Sequence, residues 1–135
     1  MQIHSYLTFN GNCREAMTFY KKCLDGELML QTIGESPMAE KMPRKMKNCI
    51  VHSTLTKGDL ILMASDMVGD AGLKKGNAIS LMLNCTSESE IYDLYEKLSE
   101  NGSPTHPIET TFWNALFGDL IDQYGNQWLL HYQKH

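Results

Sequence analysis

Nothing in this chain of 135 residues approaches the roughly 20 consecutive apolar residues that span a bilayer, so no membrane partner is expected. The N-terminus, Met1-Gln2-Ile3-His4, lacks a charged head followed by an apolar signal core, which points to a cytoplasmic protein. Positive charge is sparse: twelve Lys plus Arg face sixteen Asp plus Glu, for a net charge of -4, and Arg44-Lys45-Met46-Lys47 is the one basic run. Nucleic acid is therefore not an expected partner, because phosphate recognition needs clustered cations. The four cysteines, Cys13, Cys23, Cys49 and Cys85, form no CxxC pair, so reduced thiols are expected rather than a disulfide framework or a zinc cluster. A Gly-rich strand-to-helix turn of the dinucleotide-binding type is also missing.

What is present is the composition of a folded domain. Apolar residues make up 42% and charged ones 21%, too hydrophobic for disorder, and the length suits a single domain over 1–135. Asn12 followed by Glu15 resembles a capping box, and Ala16, Phe19, Tyr20, Cys23 and Leu24 then fall on one helical face, with Gly26 as the stop. Ser87, Glu90, the face Ile91, Leu94, Tyr95 and Leu98, and Gly102 repeat that design at an offset of 75, which is an internal duplication.

The flanks are duplicated too. Alternating β-rich runs, Ile3 to Phe9 and Ala78 to Cys85, precede the two helices. After the helices come short extended stretches near 28–33 and 105–109. Two hairpins follow, 48–56 with 60–65 around Lys57-Gly58-Asp59, and 114–122 with 127–132 around Tyr124-Gly125-Asn126. Each half reads βαβββ, the first over about 1–67 and the second over about 77–135, giving an α+β fold with mixed sheets. The segments Gly34 to Lys47 and Asp66 to Asn77 read as mobile loops, either plain connections or lids.

A sheet with a helix on one face leaves its other face as a wall, and two such halves are expected to form a partly apolar cleft. Strand alternation puts Ile3, Leu7 and Phe9 beneath the first helix and His4, Tyr6 and Thr8 on the other face. In the second half Ile79, Leu81, Leu83 and Cys85 fit the helix side, leaving Ala78, Ser80, Met82 and Asn84 toward the cleft. The candidate ligand-binding residues are Tyr6, His52, Met63, Ser80, Met82, Trp113, Leu129 and His131. Trp113 and Phe112 suit flat apolar walls, or else core or interface packing; Met63 and Met82 suit an adaptable apolar lining, or ordinary core. Asp119 and Asp122 need partners if buried: backbone groups, solvent or a ligand. His4 is the candidate general base, the alternative being a structural strand histidine. Cys13 and Cys23 are not expected nucleophiles.

Residues 6–16 (Tyr6-Leu7-Thr8-Phe9-Asn10-Gly11-Asn12-Cys13-Arg14-Glu15-Ala16), Gly76-Asn77-Ala78-Ile79-Ser80-Leu81, the block from Thr111-Phe112-Trp113 to Gly118, and Gly125-Asn126-Gln127-Trp128 together resemble the PhnB-like branch of the vicinal oxygen chelate superfamily. That superfamily includes glyoxalase I, bleomycin-resistance proteins and extradiol dioxygenases, and the branch carries the label 3-demethylubiquinone-9 3-methyltransferase. The resemblance implies paired βαβββ modules and a homodimer. It also implies four metal-ligand positions, which fall on His4, Met63, Ala78 and Leu129. Three of the four are apolar, whereas a divalent ion needs three or more N or O donors. No cofactor is therefore expected, the rescue arrangement being a divalent metal on His4, His52 and His131. Methyl transfer finds no support. The expected role is binding or sequestering a small organic molecule. The alternatives are a metal-dependent lyase, isomerase or dioxygenase-like enzyme, and a non-catalytic scaffold.

Overall fold

The computed structural model describes residues 1–135 and divides into two compact units, Met1–Lys74 and Lys75–His135. The first holds β1 (Ser5–Thr8), α1 (Cys13–Leu24), β2 (Glu27–Thr32), β3 (Ile50–Lys57) and β4 (Leu60–Ser65). The second holds β5 (Leu81–Asn84), α2 (Glu88–Leu98), β6 (Ser103–Thr110), β7 (Ala115–Ile121) and β8 (Gln127–Gln133). Each is βαβββ, as the duplication requires. The sheet orders are β1-β4-β3-β2 and β5-β8-β7-β6, with the first and last strands of each unit parallel and the other pairs antiparallel.

The helices form where apolar residues recur at helical spacing. Cys13, Ala16, Met17, Tyr20, Cys23 and Leu24 are the buried face of α1; Phe19, expected there, is only half-buried. The expected Asn12 cap is not made. Instead Asp66, just past β4, accepts from Gly11 N at 2.9 Å and Cys13 N at 3.0 Å, so the helix start is tied to the strand beside it. α2 does carry its local cap, Ser87 Oγ accepting from Glu90 N at 3.1 Å. The stops work differently from the expectation. The left-handed residues are Asp25 (φ 56°) and Asn101 (φ 57°), not the glycines after them. Gly26 and Gly102 are needed for closeness: a Cβ there would lie 2.7 Å from Thr56 O and 2.5 Å from Ile121 O.

Strand alternation sorts each sheet into a helix face and an open face. Ser53, Leu55, Leu62 and Ala64 are buried under α1, while Leu116, Leu120, Trp128 and Leu130 are buried in the α2 core. Tyr6, His52, Thr54 and Met63 share the opposite face of the first sheet, and Met82, Phe117, Asp119, Leu129 and His131 that of the second. Two expectations are corrected here. Ile3 and Ile79 precede β1 and β5 rather than lying in them, and instead of sitting under the helices they are 99% and 81% exposed. They occupy matching places, because Tyr6 faces Met63 in one unit as Met82 faces Leu129 in the other.

Candidate functional site

On the open face of the first sheet, Tyr6 OH lies 3.1 Å from His52 Nδ1, and His52 Nε2 lies 3.2 Å from Thr54 Oγ1. The Tyr6 and His52 rings stack with centroids 5.8 Å apart. Both imidazole nitrogens are thus engaged, and Met63 sits beside Tyr6 through the parallel β1–β4 pairing. His4 is exposed, precedes β1 and takes no part in this relay. In the second unit, His131 Nδ1 lies 3.2 Å from Asn84 Oδ1, and Phe117 meets the His131 ring edge-on at 6.4 Å. Met82 and Leu129 are register partners on the same face. Trp113 and Phe112 are at the turn between β6 and β7, 48% and 97% exposed, in edge-to-face contact at 4.7 Å.

The second unit's open face also contains a hollow of about 340 Å³ whose lining includes Ser80, Thr105, His106, Asp119, Ile121, Gln127 and Leu129. Ser80 and Leu129 were expected to contact a ligand; Thr105, His106 and Gln127 were not. Asp119 accepts from Thr105 Oγ1, and His106 Nδ1 lies 2.9 and 3.0 Å from its two carboxylate oxygens. Partial burial opposes ionisation of Asp119, but the bonds from Thr105 and His106 outweigh it and hold the carboxyl below its ordinary range. The pair is fixed from behind by Tyr95 of α2, whose hydroxyl donates toward His106 O at 2.9 Å and Asp119 O at 3.0 Å. Desolvation first, and then the charge of Asp119, pushes the Tyr95 phenol up, so it stays a donor.

Backbone irregularity makes this cluster. The β6–β7 register slips between Ser103 and His106 and again between His106 and Glu109, so His106 stands between two bulges on an edge strand. An inserted residue re-aims its neighbours, which is how Thr105 and His106 both reach Asp119. Gly118 permits it: a Cβ there would lie 2.7 Å from Ile108 Cδ1 and 3.0 Å from His106 O. Period-two alternation cannot register such a bulge. The one usable signal was Asp119 itself, a carboxylate in an otherwise apolar strand.

Other sequence candidates are structural. Asp122 is buried and accepts from Tyr124 N, Asn126 N and Trp128 Nε1, the last at 2.7 Å, which satisfies it within its own hairpin. Burial raises the Cys13 and Cys85 thiols to about 11, so neither is a thiolate nucleophile near neutral pH. The four family ligand positions do not fit a divalent ion: His4 is the one nitrogen donor, and Met63, Ala78 and Leu129 bring no N or O side-chain ligand. No group of three or more His, Cys, Asp or Glu converges elsewhere.

A duplicated βαβββ unit with a helix on one face of each sheet is the architecture of the glyoxalase and bleomycin-resistance proteins. The chain belongs to the family described as 3-demethylubiquinone-9 3-methyltransferase, whose model matches residues 1–131. It is 28% identical to Protein YjdN of Escherichia coli (strain K12) over 143 residues, covering 99% of this chain and 97% of that one. Among solved structures it is similar to protein PA1353 from Pseudomonas aeruginosa, with 38% identity, coverage of 100% and 99%, and a TM-score of 0.86. It is also similar to a putative 3-demethylubiquinone-9 3-methyltransferase, PhnB protein, from Bacillus cereus, with 26% identity, coverage of 98% and 99%, and a TM-score of 0.77. The bleomycin resistance determinant encoded on the transposon Tn5 shares the fold alone, at 15% identity, coverage of 100% and 99%, and a TM-score of 0.57.

Proposed function

We propose that the protein binds a small organic molecule on the open sheet face of its second unit and holds it without a metal. The observation that carries this reading is the hollow of about 340 Å³, where Ile121 and Leu129 give apolar surface and Thr105, His106 and Gln127 give polar groups. That mixture is the pattern of sites that take small molecules. Methyl transfer is not part of the reading: the first strand-to-helix turn, Phe9 to Asn12, has a single glycine, and the helix-start amides of Gly11 and Cys13 are already taken by Asp66. A fragment screen read by protein NMR tests it: hits should move the amides of Gln127, Leu129 and Ile121. Fragments that move only the Met1–Lys74 unit, or none, would overturn the assignment to this hollow.

We infer in addition that the protein is a homodimer. β1 and β5 are sheet edges with unpaired backbone, and each is preceded by an isoleucine in solvent, Ile3 and Ile79. A second copy covers both liabilities at once. Sedimentation of the double variant Ile3→Asp/Ile79→Asp should give the monomer mass where the parent chain gives twice that mass; a monomeric parent chain refutes the inference.

A further inference from the structure

We propose that His106, positioned by Asp119, is the proton acceptor of this hollow, and that the molecule bound there carries a weakly acidic hydroxyl group of the phenol or enol class. The proposal rests on the small-molecule reading and specifies its ligand chemistry. A carboxylate only accepts hydrogen bonds, so the imidazole Nδ1 facing both oxygens of Asp119 must carry the hydrogen. In the neutral ring that leaves Nε2 as the acceptor, and Nε2 has no hydrogen-bond partner in the protein. His106 is 77% exposed on its side chain yet is not free to rotate, being held through two contacts to Asp119 while Thr105 takes one of the same oxygens. Tyr95 binds the backbone carbonyls of both partners, so the imidazole and the carboxylate keep their relation.

A preorganised base beside the apolar groups Ile121 and Leu129 selects for a molecule with a flat or apolar body and one acidic O–H. On binding, the hydroxyl proton passes to Nε2. The ligand becomes an oxyanion, the ring becomes an imidazolium, and the new positive charge sits against Asp119. Net charge is conserved across the pair, and no co-reactant is needed. The same arrangement serves a general base if the bound molecule reacts further.

The probe is 4-nitrophenol, whose phenolate absorbs in the visible, compared with 4-nitroanisole, which has the same ring without the acidic proton. With the full chain, nitrophenol should shift the His106 imidazole NMR signals and the Leu129 amide, and its spectrum should move toward the phenolate. The His106→Gln variant, exposed enough to fold normally, should bind at least about tenfold more weakly and lose the spectral change. Asp119→Asn, which keeps shape but not charge, should weaken binding several-fold. Equal binding of nitrophenol and nitroanisole would overturn the proton-acceptor role while leaving small-molecule binding intact. Nitrophenol binding that survives in His106→Gln, or that leaves His106 signals unmoved, also overturns it. If neither probe binds this face and the fragment screen is also silent there, the broader reading falls with it.

Discussion

Asp66 carries more of the first unit than its single carboxylate suggests. Besides capping α1 it accepts from Ile50 N at 2.8 Å, so one side chain satisfies amides of the helix start and of β3. Asp66→Ala leaves three donors without partners and should lower unfolding free energy by about 3 kcal/mol in urea titration, with Asp66→Asn costing less because one oxygen remains. The thiols give a second test at this scale. Cys13, Cys23 and Cys85 are buried and Cys49 is half-exposed, so Ellman's reagent should modify Cys49 alone in the native protein and all four after unfolding. Asp119 supplies a pH test. Its folded pKa is depressed, so its stabilisation is present above the unfolded value of about 3.9 and fades as pH falls through the folded value. The Tm difference between the parent chain and Asp119→Asn should therefore be largest near neutral pH and close below about pH 4. Because the site is largely solvated, the difference is small.

Among elements, β6 is the one whose irregularity matters. Gly118→Ala would press a methyl into Ile108 and the His106 carbonyl, whereas Gly69→Ala meets nothing within 4 Å. The first should cost about 1–3 kcal/mol and shift His106 NMR signals; the second should do neither. The same contrast explains what was legible beforehand. Helices announced themselves through apolar spacing, because every turn of a helix repeats the same local rule, whereas the Asn12 cap that the sequence suggested is not made. The hairpins showed through Gly58 and Gly125, both at positive φ. The ends of β1 and β5 did not show, since Ile3 and Ile79 continue the alternation past the point where pairing stops. The bulges around His106 break the alternation altogether, and the capping role of Asp66 joins residues more than fifty positions apart. Local pattern has no access to either. Tyr6 was placed on the open face by parity and His52 was only a candidate ligand-binding residue; their contact depends on β1 joining the sheet beside β4.

For the molecule as a whole, the apolar side chains at Met63, Ala78 and Leu129 predict that stability does not depend on a metal. Chelator-treated protein should keep its Tm, and added zinc, nickel, manganese or iron(II) should leave it within about 1 °C, whereas an ion at 100 times its dissociation constant would add about 2.7 kcal/mol and several degrees. A stoichiometric metal with such a shift, lost in His4→Ala, would overturn that expectation and restore a chelate mechanism.

The parallel pairing that closes each unit also sets an order of events for the nascent chain. Ser5 has no strand to join until Leu62 has been made, and Leu81 waits in the same way for Trp128. Each unit must therefore hold its opening strand unpaired through the synthesis of a helix and an antiparallel hairpin. Contacts so distant in sequence slow the final step of folding. During that interval the exposed strand is a hazard to its neighbours, and the second unit passes through the same vulnerable period after the first has closed.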